Sequence, residues 1–516
     1  MVESDRKAKD RKNLQIYCIG NTKTFLAQTS LHALKYVGDD TISFWERSFF
    51  LCSFIAALIT TVNLIANIYA KWDNTPVIIG ISPQPTSVLD APFPAVTVCN
   101  MNQALRSKVS NYSKDSPESE LLGTLCFSQA DIDDEFPEDV ILQNNTLKIE
   151  DFVVEHSQTC SSLLLYCKIS STVQNCSEMF RELITDEGLC CVFNVFYLKN
   201  MTDNTQNETY RPVDWNPETG YEKDLSPGYY PRRATGTGVS MGLSIVLFAD
   251  VNEYFCSTTN GPGFKVSLHN PIETPDVKEA GLTIPIGFET RFRIDAVRSE
   301  AAPTIRSINR NGRQCLFKDE EELLYFKYYT RRNCESECES LYFHKVCQCI
   351  PFNLPKIYPN ASICNVRDIL SCINKARRTR STDSDTSCQK RCLPSCFDLT
   401  YLPDSFSSAL AVQNYTIANI LLRNMSKSFI TNNIAVIHFY YKESVFYGDF
   451  KNVYIGLTEF LSNTGGIMGL FMGFSVISVV EILYFTFVRP VVEFIFPLRK
   501  EKNRIRKLSP VNEVRT

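Results

Sequence analysis

Histidine is scarce in this chain: five in 516 residues, at positions 32, 156, 269, 344 and 438. Spread so thinly, they form no His-rich metal or acid–base centre. Surplus positive charge is missing too. Lysine and arginine number 53 against 57 acidic residues, a formal net charge of -4, which leaves no general case for nucleic-acid binding. No repeat of fixed period runs through the sequence, which sets solenoids and propellers aside. The first 44 residues are polar and charged, so no cleavable signal peptide is expected there. Long apolar runs are few, and two are long enough to cross a membrane.

Ser48 to Ala70 holds 23 residues without a charge, and Phe460 to Val488 holds 29, interrupted only by Glu481. About 20 residues at ~1.5 Å each cover a hydrocarbon core of ~30 Å. The longer run would reach roughly 43 Å as a straight helix, so it must tilt, break or protrude. Flanking charge orients both runs. Residues 1–47 carry eight Lys/Arg against six Asp/Glu, residues 489–516 carry eight against three, and the stretch between the runs is acidic. Basic flanks stay cytoplasmic. Cysteine agrees, because 18 of the 20 lie between the runs and only Cys18 and Cys52 do not.

A dense, even set in an exported region reads as a disulfide framework. Its members are Cys99, Cys126, Cys160, Cys167, Cys176, Cys190, Cys191, Cys256, Cys315, Cys334, Cys338, Cys347, Cys349, Cys364, Cys372, Cys388, Cys392 and Cys396, with connectivity left open. Eight N-x-[ST] sequons fall in the same stretch, at Asn111, Asn144, Asn175, Asn200, Asn207, Asn360, Asn414 and Asn424. The expected layout is a cytoplasmic tail (1–47), a first span (48–70), a cysteine-rich exterior (71–457), a second span (458–488) and a basic cytoplasmic tail (489–516).

The exterior reads mainly as β structure, with strand-like runs at Ala95–Val98, Val239–Phe248, Phe264–His269, Arg291–Val297 and Ile434–Tyr440. Helical patterning is expected at Asp319–Lys327 and Asn414–Lys427, and a solvated loop at Arg377–Ser387. Patterns that suggest catalysis are weak. Gly238-Val239-Ser240-Met241-Gly242 matches a nucleophile elbow, but the strand-like run follows the serine where it should precede it. Cys338, His344, Cys347 and Cys349 could be drawn as a zinc cluster, yet exterior cysteines are more often paired by oxidation. Acidic pairs such as Glu320 with Glu321, or Asp133 with Asp134, are most simply solvated faces. A two-span nucleotide hydrolase would need a phosphate cradle with acidic metal ligands. Thr235–Gly238 is the nearest cradle, and no acidic residue stands near it.

The second span carries the stronger chemistry. A charge at mid-bilayer costs ~2.5–3.5 kcal/mol on insertion scales, so Glu481 is expected to face water or a partner. Gly465, Gly466, Gly469 and Gly473 form a small-residue stripe that serves either close helix packing or a backbone-lined conduit. Two helices cannot enclose a pore. Any channel must therefore be an oligomer, in which rotational symmetry turns one glutamate per chain into a ring of acid.

Three further segments are distinctive: Phe93-Pro94-Ala95-Val96-Thr97-Val98-Cys99-Asn100, Cys334-x3-Cys338 through Cys347-Gln348-Cys349, and Cys388-x3-Cys392-Leu393-Pro394-Ser395-Cys396. Together with LSNTGGIMGLFMGFSVISVVE in the second span, they resemble the degenerin/epithelial sodium channel/acid-sensing ion channel family from Ser30 to about Glu481. GLSIVLF, EYFCS (253–257) and KVSLHNPIETP (265–275) look most like its insect pickpocket branch. The resemblance implies a fold of membrane α plus extracellular α+β. Two transmembrane helices per chain would flank a β-rich, hand-like exterior of palm, β-ball, finger, thumb and knuckle, in a homo- or heterotrimer. It implies amiloride-sensitive sodium conduction with no cofactor beyond the permeant ion, no catalysis and no nucleic-acid partner.

By that resemblance Gly473, Phe474 and Ser475 form the selectivity filter, and Glu481 is the acid that follows it. Ser462 is the position where bulky substitution holds the gate open. Asn463 beside it resembles the epithelial sodium channel form. The cytoplasmic His-Gly gating motif stands here as His32-Ala33, so the inner loop is expected to sit differently. The C-terminal tail lacks a Pro-Pro-x-Tyr motif, and its basic cluster from Arg499 to Lys507 suits either contact with anionic lipid or an ordinary positive-inside flank. The gating stimulus and any obligate partner subunit are not specified by these residues. An ATP-gated channel of similar topology is disfavoured by the Gly-x-Ser motif, Glu481 and the 18 exterior cysteines.

Overall fold

A computed structural model describes residues 20–113, 116–126, 148–196, 211–222, 225, 229–382, 388–413 and 415–495. The chain divides into two compact units, one of residues 79–452 and one built from 1–78 with 453–516.

The larger unit is organised by strands whose side chains alternate between core and water. Phe288–Ala301 shows why: Thr290, Phe292, Ile294 and Ala296 are buried, while the intervening Arg291, Arg293 and Asp295 lie outward. This strand pairs antiparallel with Asp398–Ala409 and parallel with Ile434–Tyr441. The sheet continues through Leu243–Phe248 and Leu164–Ile169 to Thr172–Gln174. A second, antiparallel sheet has the order Leu282–Pro285, Gly263–His269, Ala95–Asn100, Gly188–Phe193, Phe180–Thr185. Ala95–Asn100 is buried along its whole length. One core joins the two sheets, where Phe93, Val96, Val98 and Phe193 meet Leu243, Ile245, Phe292 and Phe439.

Three local expectations are corrected. Asp319–Lys327 is not helical but a run of turns and bends. Its backbone is claimed from outside, because the Glu337 carboxylate accepts from Leu324 N and Tyr325 N, both at 3.0 Å. Of the Arg377–Ser387 loop, residues up to Thr382 belong to the helix Asn374–Thr382, which continues a turn started at the Asn365 capping box. Residues 383–387 lie outside the described residues. The helix expected over Asn414–Lys427 is two short pieces, Ile420–Arg423 and Lys427–Asn433, and Asn414 is not described.

The longest helix of this unit, Arg331–Cys347, has no apolar stripe. Bridges fasten it instead. Cys334 joins Cys392, Cys338 joins Cys388, and Cys347 joins Cys372, with Cys315–Cys396 and Cys349–Cys364 alongside. The strands carry Cys99–Cys190, Cys160–Cys191 and Cys167–Cys176, and Cys126–Cys256 closes a long excursion. All 18 cysteines between the apolar runs are thus paired, none in a zinc site. Asn111, Asn175, Asn360 and Asn424 are exposed; Asn144, Asn200 and Asn207, like Asn414, lie outside the described residues.

The smaller unit is helical. Phe44–Asn74 extends the expected first span at both ends and begins at a capping box of Ser43 with Glu46. It is long and apolar enough to cross a membrane. Phe44, Trp45, Phe49, Ile59 and Val62 stand exposed on it, and Trp72 packs its ring against Phe460 at 5.3 Å. Leu457–Met472 and Val476–Val492 meet the same test only as a pair, bent by 68° at the break between them.

One buried charge pair makes the larger unit testable. Glu187, at the turn between Phe180–Thr185 and Gly188–Phe193, meets Lys265 Nζ at 2.8 Å and also accepts from the Thr258 hydroxyl. The Glu187 side chain is fully buried and Lys265 nearly so. Glu187→Leu should cost about 3–5 kcal/mol by stranding the ammonium, and Glu187→Leu with Lys265→Met should recover most of that loss. Thermal unfolding of the purified chain checks both. Equal losses in the single and double variants would refute the pairing argument.

Candidate functional site

The break in the second apolar run is written in three residues. Gly473 ends the helix Leu457–Met472 in the left-handed conformation, φ 66°, which an L side chain resists. Ser475 is extended and starts the next helix, Val476–Leu483. Its hydroxyl accepts from Ser478 N, and the Ser478 hydroxyl accepts from Ser475 N, a reciprocal cap. Phe474 lies between, its N–H bound to Met468 O at 3.2 Å. The predicted filter triplet is therefore a non-helical joint between two half-helices.

The N-terminal segment lies against this joint. Residues 20–28 are helical, and Asn21 donates to Phe485 O at 2.9 Å while Phe25 packs edge-on against the Phe485 ring. Further along, Ser30 N and Ser30 Oγ reach Glu481 Oε2 at 3.0 and 3.1 Å, and Thr29 Oγ1 reaches it at 3.4 Å. His32 N donates to Met472 O at 2.9 Å, the last helical carbonyl before the break. The His32 ring fills the space beside Gly473, so that a Cβ added there would meet ring atoms at 2.5–2.9 Å. Two separate constraints thus require glycine at 473.

The geometry brings His32, Gly473, Ser475 and Glu481 into one cluster. Ser462, Asn463, Gly465 and Gly466 stand apart on the preceding half-helix, all exposed. A Cβ on Gly465 or Gly466 would meet nothing within 4 Å, and one on Gly469 only Phe474 O at 3.8 Å. Close packing inside this chain therefore accounts for Gly473 but not for Gly465, Gly466 or Gly469. Ala33 holds φ 65°, the left-handed conformation that glycine accepts freely and that costs alanine ~1–2 kcal/mol. Thr29, Ser30, Asn21 and Ser478 were not singled out from the sequence. Small polar residues in a tail carry no periodic signal, and their adjacency to His32 is the one clue.

Neither catalytic pattern gains support. Ser240 sits in a turn ahead of the strand Leu243–Phe248, the wrong order for an elbow. Among the described residues no group of His, Cys, Asp or Glu is arranged to hold a metal ion. What the site offers instead is a broken apolar helix, an exposed glycine face and a carboxylate held by hydrogen bonds, which are parts suited to a membrane channel.

The chain belongs to the amiloride-sensitive sodium channel family, whose model matches residues 25–485. It is 38% identical over 505 residues to pickpocket protein 28 of Drosophila melanogaster, covering 95% of this chain and 82% of that one. Sodium channel protein Nach of the same species is 24% identical, with 89% and 86% covered. The bile acid-sensitive ion channel of Mus musculus is also 24% identical, with 82% and 79% covered. This membership makes it an ion channel protein, of the pickpocket kind, and not an enzyme.

The seating of the N-terminal segment can be read by proteolysis. Gly473→Ala should displace His32 and speed tryptic cleavage at Lys23 and Lys35 of the purified chain. Ala33→Gly should slow it about two- to fivefold by relieving the left-handed alanine. Unchanged cleavage in both would contradict the contacts described.

Proposed function

We propose that this protein is one subunit of a trimeric, sodium-permeable, amiloride-sensitive channel of the plasma membrane. Phe44–Asn74 and the bent pair would be its two spans, with both termini cytoplasmic and the large unit outside. The observation that carries the reading is the joint at Gly473-Phe474-Ser475, followed by Glu481. Non-helical backbone at membrane depth is tolerated where it is buried in protein or lines a water-filled path. Three copies around one axis would align three such joints and three carboxylates, giving cations a ring of backbone groups followed by a ring of acid. The open space at Gly465 and Gly466 suits helices from neighbouring copies, or the conduit itself, on that face. The partners are copies of this chain or related subunits, together with the bilayer. No cofactor is needed beyond the ion that moves.

The exterior receives the stimulus in this reading and acts on both spans, because the chain enters it after Phe44–Asn74 and leaves it before Leu457–Met472. The exposed residues on Phe44–Asn74 then face lipid or neighbouring helices.

Ser462→Val places a bulkier side chain at the gating position. Cells expressing it should carry a constitutive current that disappears when sodium is replaced by a large impermeant cation and falls on adding amiloride. Surface protein is measured in the same cells. Surface-confirmed Ser462→Val that passes no current, alone or with related subunits, would defeat the proposal.

A further inference from the structure

Glu481 does not stand free. Its Oε2 accepts from Ser30 N at 3.0 Å, Ser30 Oγ at 3.1 Å and Thr29 Oγ1 at 3.4 Å. Among the described residues none donates to Oε1, which leaves half of the carboxylate to meet water or an ion. The Ser30 hydroxyl has a second partner, Ser478 Oγ at 2.8 Å, and Ser478 is fully buried. Ser478 Oγ in turn accepts from Ser475 N at 3.1 Å and lies 3.3 Å from Ser475 Oγ.

The proton order along this chain is forced. A carboxylate only accepts, so Ser30 Oγ–H points to Glu481 and its lone pair takes the Ser478 hydroxyl proton. Ser478 Oγ, having given its proton, accepts from the Ser475 amide. One unbroken line of hydrogen bonds therefore joins the last residue of the joint to the acid two turns further on, and Ser30 is its central member. The links through Ser478 are half-buried, whereas the Ser30–Glu481 link is exposed and is held by two donors from one residue.

We propose that Ser30 is a positioning residue for cation discrimination: it fixes the Glu481 carboxylate in register with the Gly473-Phe474-Ser475 joint. The inference deepens the pore reading above and rests on it. Charged rings select ions by where their oxygens sit as well as by how many there are. A serine supplied by the cytoplasmic segment thereby sets a property of the conduit that no residue of the second span sets alone. Thr29 supports the same oxygen from a longer distance, and its own burial holds the segment in place.

The experiment uses the full-length chain in the Ser462→Val background. Reversal potentials are read with sodium on one side and potassium on the other, a measure independent of channel number. Ser30→Ala should change the sodium-to-potassium permeability ratio about threefold, as loss of one charge-assisted hydrogen bond allows. Ser30→Thr, which keeps the hydroxyl, should restore the parental ratio. Glu481→Gln should shift the ratio by itself, and Ser30→Ala added to it should change nothing more, because both act through one carboxylate.

An unshifted Ser30→Ala beside a shifted Glu481→Gln overturns the proposal and leaves the pore reading standing. Additive effects of the two substitutions overturn it in the same way. An unshifted Glu481→Gln removes Glu481 from the conduit, and the proposal falls with that reading. If the background passes no current, the contact itself is measured. Ser30→Cys with Ser478→Cys, in a chain carrying Cys18→Ser and Cys52→Ser, should oxidise to a cross-link that joins the two peptides in mass spectrometry. A chain at the cell surface that never forms the cross-link overturns the proposal without any current being needed.

Discussion

Backbone amides and carbonyls in apolar surroundings have to find partners inside the protein, and this constraint shapes the whole membrane-side unit. A straight helix meets it automatically; a helix interrupted at Gly473 does not. The groups released at the break are taken up one by one. Met472 O receives His32 N–H, Phe474 N–H returns to Met468 O, and Ser475 N–H is held by Ser478. The N-terminal segment is therefore part of the second helix's hydrogen-bond accounting. Glycine at 473 makes the break possible, and the imidazole beside it makes glycine obligatory.

The larger unit is held together differently. The strands obtain their stability from alternation and from a shared apolar core, as Phe288–Ala301 shows against Ile434–Tyr441. The helical part around Arg331–Cys347 has little apolar surface to offer and is held by covalent bridges. Five of the nine disulfides fall between Cys315 and Cys396. A region tied in this way moves as one piece and needs no apolar repacking to keep its shape.

Much of this was legible from residues alone, and the reasons for the rest are physical. Strands announced themselves through short alternating or apolar runs, Ala95–Val98 among them, which the structure extends to Asn100. Excess length in the second run left tilt, break or protrusion open, and only the family resemblance pointed to Gly473-Phe474-Ser475. Arg331–Cys347 was invisible because helical periodicity reports apolar faces, and this helix is fastened by sulfur. Asp319–Lys327 misled for the opposite reason: its pattern suits a helix, but the Glu337 side chain captures its amides. Ala33 stands in a left-handed conformation that no residue pattern announces; the His32 N–H bond to Met472 O precedes it, and its own carbonyl accepts from Tyr36 N and Val37 N after it. The hydroxyl line through Ser30 had no signature at all, since its members lie some 450 residues apart in sequence.

That separation bears on how the molecule is made. Synthesis passes from Thr29, Ser30 and His32 to Met472, Ser478 and Glu481 only after some 450 residues, and all nine cysteine pairs are made in between. The donors of the early segment have no partner in this cluster until the later helices exist. The cluster therefore reports on a chain whose two distant ends have both been made.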